Sequence, residues 1–166
     1  GKAGGIAEAT AAWSGTVWRG EKGANAHLGI TGKLAADNMD GSLPARTSKQ
    51  SGEGTLTLRS SAWLVKGRYT LAHEGSDEDP PARNKLSRVA SLEASVPLKL
   101  GKAVLDTGLR GSRSTTRDEV SGSTDVLDTI ALTGRTLIGQ TSIAANAGWS
   151  QSAKSAGDRK RDLELT

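Results

Sequence analysis

LSRVASLEASVPLKL, residues 86–100, is the stretch on which the fold turns. Leu86, Ala90, Leu92, Ala94, Val96, Leu98 and Leu100 share one parity, interrupted by Arg88. Ser87, Ser91, Glu93, Ser95 and Lys99 share the other. Side chains of a strand point alternately to opposite faces, so this is a strand with one apolar and one polar face. Helical spacing fits poorly, because Leu92 and Val96 would share a side while Ala94 and Leu98 pointed away. Pro97 has no amide hydrogen to give a ladder and predicts an edge or a strand end.

The same alternation continues outward. Leu100, Gly101 and Lys102 read as a tight turn, followed by a strand with Ala103, Leu105, Thr107 and Leu109 on one face. Asp106, Gly108, Arg110 and Ser112 take its other face. The charged, Gly- and Ser-containing segment from Thr116 to Asp125 is expected to be a longer loop. A strand is expected from Val126 to Leu137, a short turn at Ile138 and Gly139, and a strand from Thr141 to Ser152 carrying Ile143, Ala145, Ala147 and Trp149 on one face. A loop at Ala156 to Arg159 and a last strand from Asp162 to Thr166 complete this half.

Toward the N-terminus the pattern is looser. Ala9, Ala11, Trp13, Gly15 and Val17 share a parity, Glu21 to Gly23 is a turn, and Ala24 to Ala36 alternates as a long strand. Asp37 to Gly41 ends in Asp-Gly, which tolerates positive φ and signals a hairpin. Gly54 to Leu58 carries apolar residues at even positions, whereas Trp63, Val65, Tyr69 and Leu71 are odd. That switch requires a turn or bulge between Arg59 and Ala62. Gly75 to Asn84 is the most polar loop. The expectation is an all-β, single-domain chain over residues 1–166, an antiparallel up-and-down meander of about 8–10 long strands closing into a barrel. Several strands run to ~12–14 residues, beyond the usual 5–6.

Composition sets outer bounds. Of 166 residues, 35% are hydrophobic and 24% charged, so apolar material is scarce for a packed globule. Cysteine is absent, which excludes disulfides and thiolate metal sites. The net charge of +4 is spread through the chain and reads mainly as solubility. The opening Gly1 to Gly5 shows no charged start followed by an apolar run, and a leader already removed would leave no trace. No stretch offers the ~20 apolar residues of a membrane helix, which leaves strand-built membrane proteins open.

From Leu86 to Thr166 the chain resembles the outer-membrane β-barrel class: alternating faces, short turns at one end, polar loops at the other, abundant Gly and no Cys. The resemblance implies a non-enzymatic pore or surface structural protein in the outer membrane or outside the cell. It implies a lipid bilayer, or detergent, as partner, with self-association as a further option. A soluble β-barrel or sandwich binding a hydrophobic ligand, or a β-rich subunit of a larger assembly, is the alternative reading of the same pattern. The difference lies in which parity points inward.

No catalytic, cofactor or metal constellation is visible. His27 and His73 are expected to be partly exposed strand residues, and the Gly-x-Ser-x-Gly elbow is missing. Asp77, Glu78 and Asp79 lack EF-hand spacing and read as a solvated acidic loop. The basic groups Arg83, Lys85 and Arg88, then Arg110, Arg113 and Arg117, then Arg159, Lys160 and Arg161 lie near loop ends. If they share one end, they form a positive rim able to attract phosphate or anionic lipid. No nucleic-acid module is present, and no specific nucleic-acid binding is expected. The candidate ligand or lumen residues are Trp13, Trp63, Tyr69, Trp149, Glu93, Asp106, Arg110 and Asp128. In the soluble reading the aromatics line a pocket for an apolar molecule or, more simply, fill the core. Asp128 interrupts the parity of Val126, Ile130 and Leu132 and is expected to be a buried charge needing a partner.

Overall fold

The computed structural model describes residues 5–37, 46–77, 83–100, 103–138, 141–154 and 159–165. They form one nine-stranded antiparallel sheet in which every strand pairs with its sequence neighbour. The strands are β1 (Ala7–Arg19), β2 (Asn25–Ala36), β3 (Thr47–Arg59), β4 (Leu64–Ser76), β5 (Asn84–Leu100), β6 (Ala103–Asp118), β7 (Ser123–Ile138), β8 (Thr141–Lys154) and β9 (Arg159–Leu165). Among the described residues β1 and β9 are the two edges.

Register turns the local alternation into two continuous surfaces. Trp13 opposes Ile30, Ile30 opposes Gly54, Gly54 opposes Tyr69, and Tyr69 opposes Ala90. Directly opposed residues point to the same side of a sheet. Even residues of β2 and β3 therefore join odd residues of β4, even residues of β5, odd of β6, even of β7 and odd of β8. The parity switch expected between Arg59 and Ala62 is the β3–β4 turn, closed by the Ser60 amide donating to the Trp63 carbonyl at 2.9 Å. In β1 the register shifts between Thr16 and Trp18, so Val17 is the extra residue of a bulge. Trp18, opposing Ala26, takes the apolar-face place expected of Val17.

The turns follow their chemistry. Between β1 and β2 a 3-10 turn spans Glu21–Gly23, with Lys22 at φ 54° and Gly23 at φ 78°. The loop expected from Thr116 to Asp125 contracts to Glu119–Gly122, because β6 runs to Asp118 and β7 starts at Ser123. Asp118 tightens it by accepting from the Val120 and Ser121 amides at 3.0 and 3.2 Å, and Gly122 supplies φ 68°. β3 begins at Thr47 rather than Gly54; Ser48, Gln50 and Gly52 carry no apolar signal and are held by pairing on both sides. Pro97 lies within β5, yet pairing to β4 stops at Ser95, so β5 is locally an edge there. The expected turns at Gly101–Lys102 and at Gly139, and the Asn38–Gly41 hairpin signal, lie outside the described residues. So do most of Ala156–Arg159, of which Arg159 begins β9, and the centre of Gly75–Asn84.

The strands are staggered. At the end of the β1–β2 and β3–β4 turns, Val65 opposes Ala94, whereas at the β5–β6 turn Ala103 opposes Leu100, further along β5. The offset is a single step at the β4–β5 pairing, since β5 to β8 end level with one another. Among the described residues no element covers either face. Ala26, 7% exposed, is the one buried hydrophobic residue among those described.

Candidate functional site

The polar face gathers the charges of the strand interiors. Thr57, Lys66, Glu93 and Arg110 stand in one row across β3 to β6. Thr55, Arg68, Ser91, Ser112 and Thr129 form the next row, in which the Ser112 and Thr129 hydroxyls meet at 2.7 Å. Thr55, Thr57, Lys66, Arg68, Ser91, Glu93 and Arg110 line a hollow on this face. A second hollow adjoins Glu93, Ser95, Asp106, Gly108, Thr133 and Arg135. Arg68 and Glu53 form an ion pair at 3.4 Å. Asp106 faces Arg135 across β6 and β7, and the Arg135 guanidinium donates to Ser142 at 3.2 Å.

The other face is apolar over a limited height. On β6 it carries Leu105, Thr107, Leu109 and Gly111 before Arg113; on β8 it carries Ile143, Ala145, Ala147 and Trp149 before Gln151. The run covers seven residues on each of these two strands and nine, residues 90–98, on β5, against the ~9–11 with which a tilted strand crosses a hydrocarbon layer. Several of its large side chains are exposed, among them Leu92 at 56%, Leu109 at 51% and Leu132 at 55%, while Leu105 and Trp149 are half-exposed. Two hydroxyls within it are internally satisfied. Thr107 donates to the Val96 carbonyl at 2.6 Å and Thr136 to the Val104 carbonyl at 3.0 Å. In an apolar surrounding an unpaired hydroxyl would be costly.

The structure therefore separates the residues singled out in the sequence. Glu93, Asp106 and Arg110 share the polar face. Trp13, Tyr69 and Trp149 lie on the apolar face, with Trp13 and Tyr69 in one row and Trp149 opposing Ile130 on the far side of the sheet. Trp63 sits in the β3–β4 turn. These aromatics neither converge on a pocket nor fill a core, since Trp13, Trp63 and Tyr69 are exposed and Trp149 is half-exposed. Asp128 has the partner it was expected to need, although it is half-exposed rather than buried. Arg113, directly opposite, donates through Nε and Nη2 to the two carboxylate oxygens at 2.8 and 2.9 Å. Glu53, Lys66, Arg68 and Arg135 escaped attention in the sequence; the period-two spacing that placed Glu93 and Asp106 places them as well.

The longer-loop end is braced by side chains. The Thr47 hydroxyl and amide both donate to the Asp37 carboxylate at 2.6 Å, and these bonds hold its pKa below the usual carboxylate range. Asp77 accepts from the Arg46 amide at 2.6 Å. Glu74 pairs with Arg83 at 3.1 Å and with Lys49 at 3.6 Å. Asn84 links the His73 ring, at 2.9 Å, to Glu119, at 2.8 Å. His27 is exposed on the polar face, as expected, and His73 is half-exposed. Glu78 and Asp79 of the acidic run lie outside the described residues. Among the described residues no group of three or more His, Cys, Asp or Glu is placed to hold a metal ion. No helix among them is long and apolar enough to cross a membrane, which says nothing of strands.

No family model matches this chain, and no curated protein matches it. Solved structures do. The beta domain of the Bordetella autotransporter Brka superposes with a TM-score of 0.51 at 14% identity, over 96% of this chain and 74% of that one. A bacterial polysaccharide outer membrane secretin gives 0.46 at 17% identity, over 95% of this chain and 54% of its own. CdiB from Acinetobacter baumannii gives 0.32 at 16% identity, over 90% and 30%. The likeness to the autotransporter domain shows the fold alone: an all-β antiparallel meander that superposes on that beta domain, the fold class expected from the sequence.

Proposed function

We propose that the chain forms the wall of a non-enzymatic outer-membrane β-barrel, with its apolar face against lipid and its polar face lining a water-filled pore. One observation carries this reading. Register collects Leu92, Val96, Leu98, Leu109, Ile130, Leu132 and Ile143 on one face, with Val89, Val104 and Leu127 as exceptions on the other, and that apolar face is exposed rather than packed. A soluble barrel or sandwich has the opposite polarity, apolar parity inward and buried. A membrane barrel needs an apolar outer band, a polar interior and backbone groups satisfied between strands. The hydroxyls of Thr107 and Thr136, turned onto carbonyls of neighbouring strands, suit such a band. The more braced loop end corresponds to the outward side of such barrels, and the shorter turns to the inward side.

The test is behaviour with and without detergent. The proposal expects a purified chain that aggregates without detergent, becomes monodisperse with it, and makes planar bilayers conduct in discrete steps. A chain that stays soluble and monodisperse without detergent contradicts it.

A further inference from the structure

Just above the apolar band, the lipid-side parity carries Arg88 on β5 and Arg113 and Arg117 on β6. Arg88 opposes Thr115, the residue midway between the two arginines of β6. Diagonal neighbours across an antiparallel pair lie about 7–8 Å apart, within reach of long side chains. The three guanidiniums thus surround one hydroxyl-bearing position. Arg113 is held by Asp128. Arg88 and Arg117 are exposed, and among the described residues neither has a side-chain hydrogen bond or ion-pair partner. The face is left with two uncompensated positive charges at the edge of an apolar surface.

Beneath the cluster two small residues on neighbouring strands, Ala90 and Gly111, lie diagonally to each other and leave a short dip bordered by Tyr69, Leu92 and Ile130. Ala90 opposes Arg113, and Leu92 opposes Gly111. A Cβ built on Gly111 would meet its nearest neighbour, the Thr129 carbonyl oxygen, only at 3.9 Å, so the dip is open at Gly111. Its shape and polarity suit an alkyl chain, and the guanidiniums above it suit the oxygens of a phosphate, which arginine binds through paired N–H donors.

We infer that Arg88 and Arg117, with Thr115 between them, form a binding site for the phosphate of a lipid headgroup whose acyl chain lies over Ala90 and Gly111. The inference rests on the membrane reading above. An acidic soluble partner would have no use for the apolar dip, and a free phosphate would gain nothing from it.

The experiment compares the full chain with the Arg88→Gln/Arg117→Gln variant, both reconstituted into phosphatidylcholine vesicles containing a minority of spin-labelled phosphatidic acid. The signal from motionally restricted lipid reports selectivity. Both proteins are expected to insert equally. The parent chain should select phosphatidic acid over labelled phosphatidylcholine, and the variant should lose about five-fold of that preference per guanidinium removed. Millimolar inorganic phosphate should leave the preference unchanged. Equal selectivity in an inserted variant overturns the lipid site and leaves the barrel standing. Loss of the preference to inorganic phosphate overturns the lipid as the ligand's source. Failure of the parent chain to insert overturns both readings.

Discussion

Arg113 and Asp128 face each other across β6 and β7 and share two hydrogen bonds, of 2.8 and 2.9 Å, on the side of the sheet that is apolar toward the short turns. The pair marks where that apolar surface gives way to charge. Below it lie Leu109 and Ile130, and above it Thr115, Arg117 and Thr124. A bidentate fork leaves neither charge unpartnered at the border. Substituting either residue alone strands the other. Arg113→Leu and Asp128→Leu should each lower the resistance of the folded chain to urea in detergent or lipid. The double substitution should cost less than the two single losses together. Simple additivity would contradict coupling across the pair.

The face assignment makes a sharper prediction at adjacent residues. Val96→Arg places a charge within the apolar band and should destabilise the chain in vesicles by about 2–4 kcal/mol. Ser95→Arg, one residue away on the polar face, should change stability by about 0.5 kcal/mol or less. Unfolding titrations of the two variants in one lipid provide the check.

On the polar face, Glu93 lies between Lys66 and Arg110 in one row. Glu93→Lys would replace the carboxylate between two cations with a third cation. In single-channel recordings under a salt gradient, the reversal potential should move toward anion selectivity. Lys66→Glu should move it the other way. An unchanged potential in both would place this row away from the ion path.

Asp37 sets a pH dependence. Two bonds from Thr47 favour its charged form, so its folded pKa lies below that of the unfolded chain. The stabilisation is complete above about pH 4, the ordinary carboxylate value, and disappears as pH falls through the depressed folded value. Asp37→Ala should flatten this part of the stability profile and leave the rest unchanged. A profile identical to the parent's between about pH 2 and 5 would contradict it.

The fold was legible where apolar and polar residues alternate without a break. Leu86 to Leu100 and Thr141 to Ser152 became β5 and β8 with their faces as read. The start of β3 was hidden because Ser48, Gln50 and Gly52 hold their places by pairing, not by hydrophobicity. The β6–β7 connection was overestimated because its polar residues belong to strands that continue beyond the apolar band, where charge no longer signals a loop. The bulge at Val17 has no local signature; only the partner strand reveals it. For the site, parity alone placed Glu93, Asp106 and Arg110 together, and it flagged Asp128. Arg113 as its partner required the β6–β7 register, a relation between residues 15 apart in the chain. The aromatics were not placed by parity alone, because which face of a two-faced strand is covered depends on what packs against it, and Trp13 and Tyr69 stand on a face that the described residues leave open.

The central claim is the direction in which each face points. Spin labels placed singly at Leu92, Glu93, Leu105 and Asp106 in the lipid-reconstituted chain measure it through their collision rates with oxygen and with a water-soluble nickel chelate. Labels at positions 92 and 105 should favour oxygen, and those at 93 and 106 the chelate. The opposite pattern, or equal access at all four, would contradict the account.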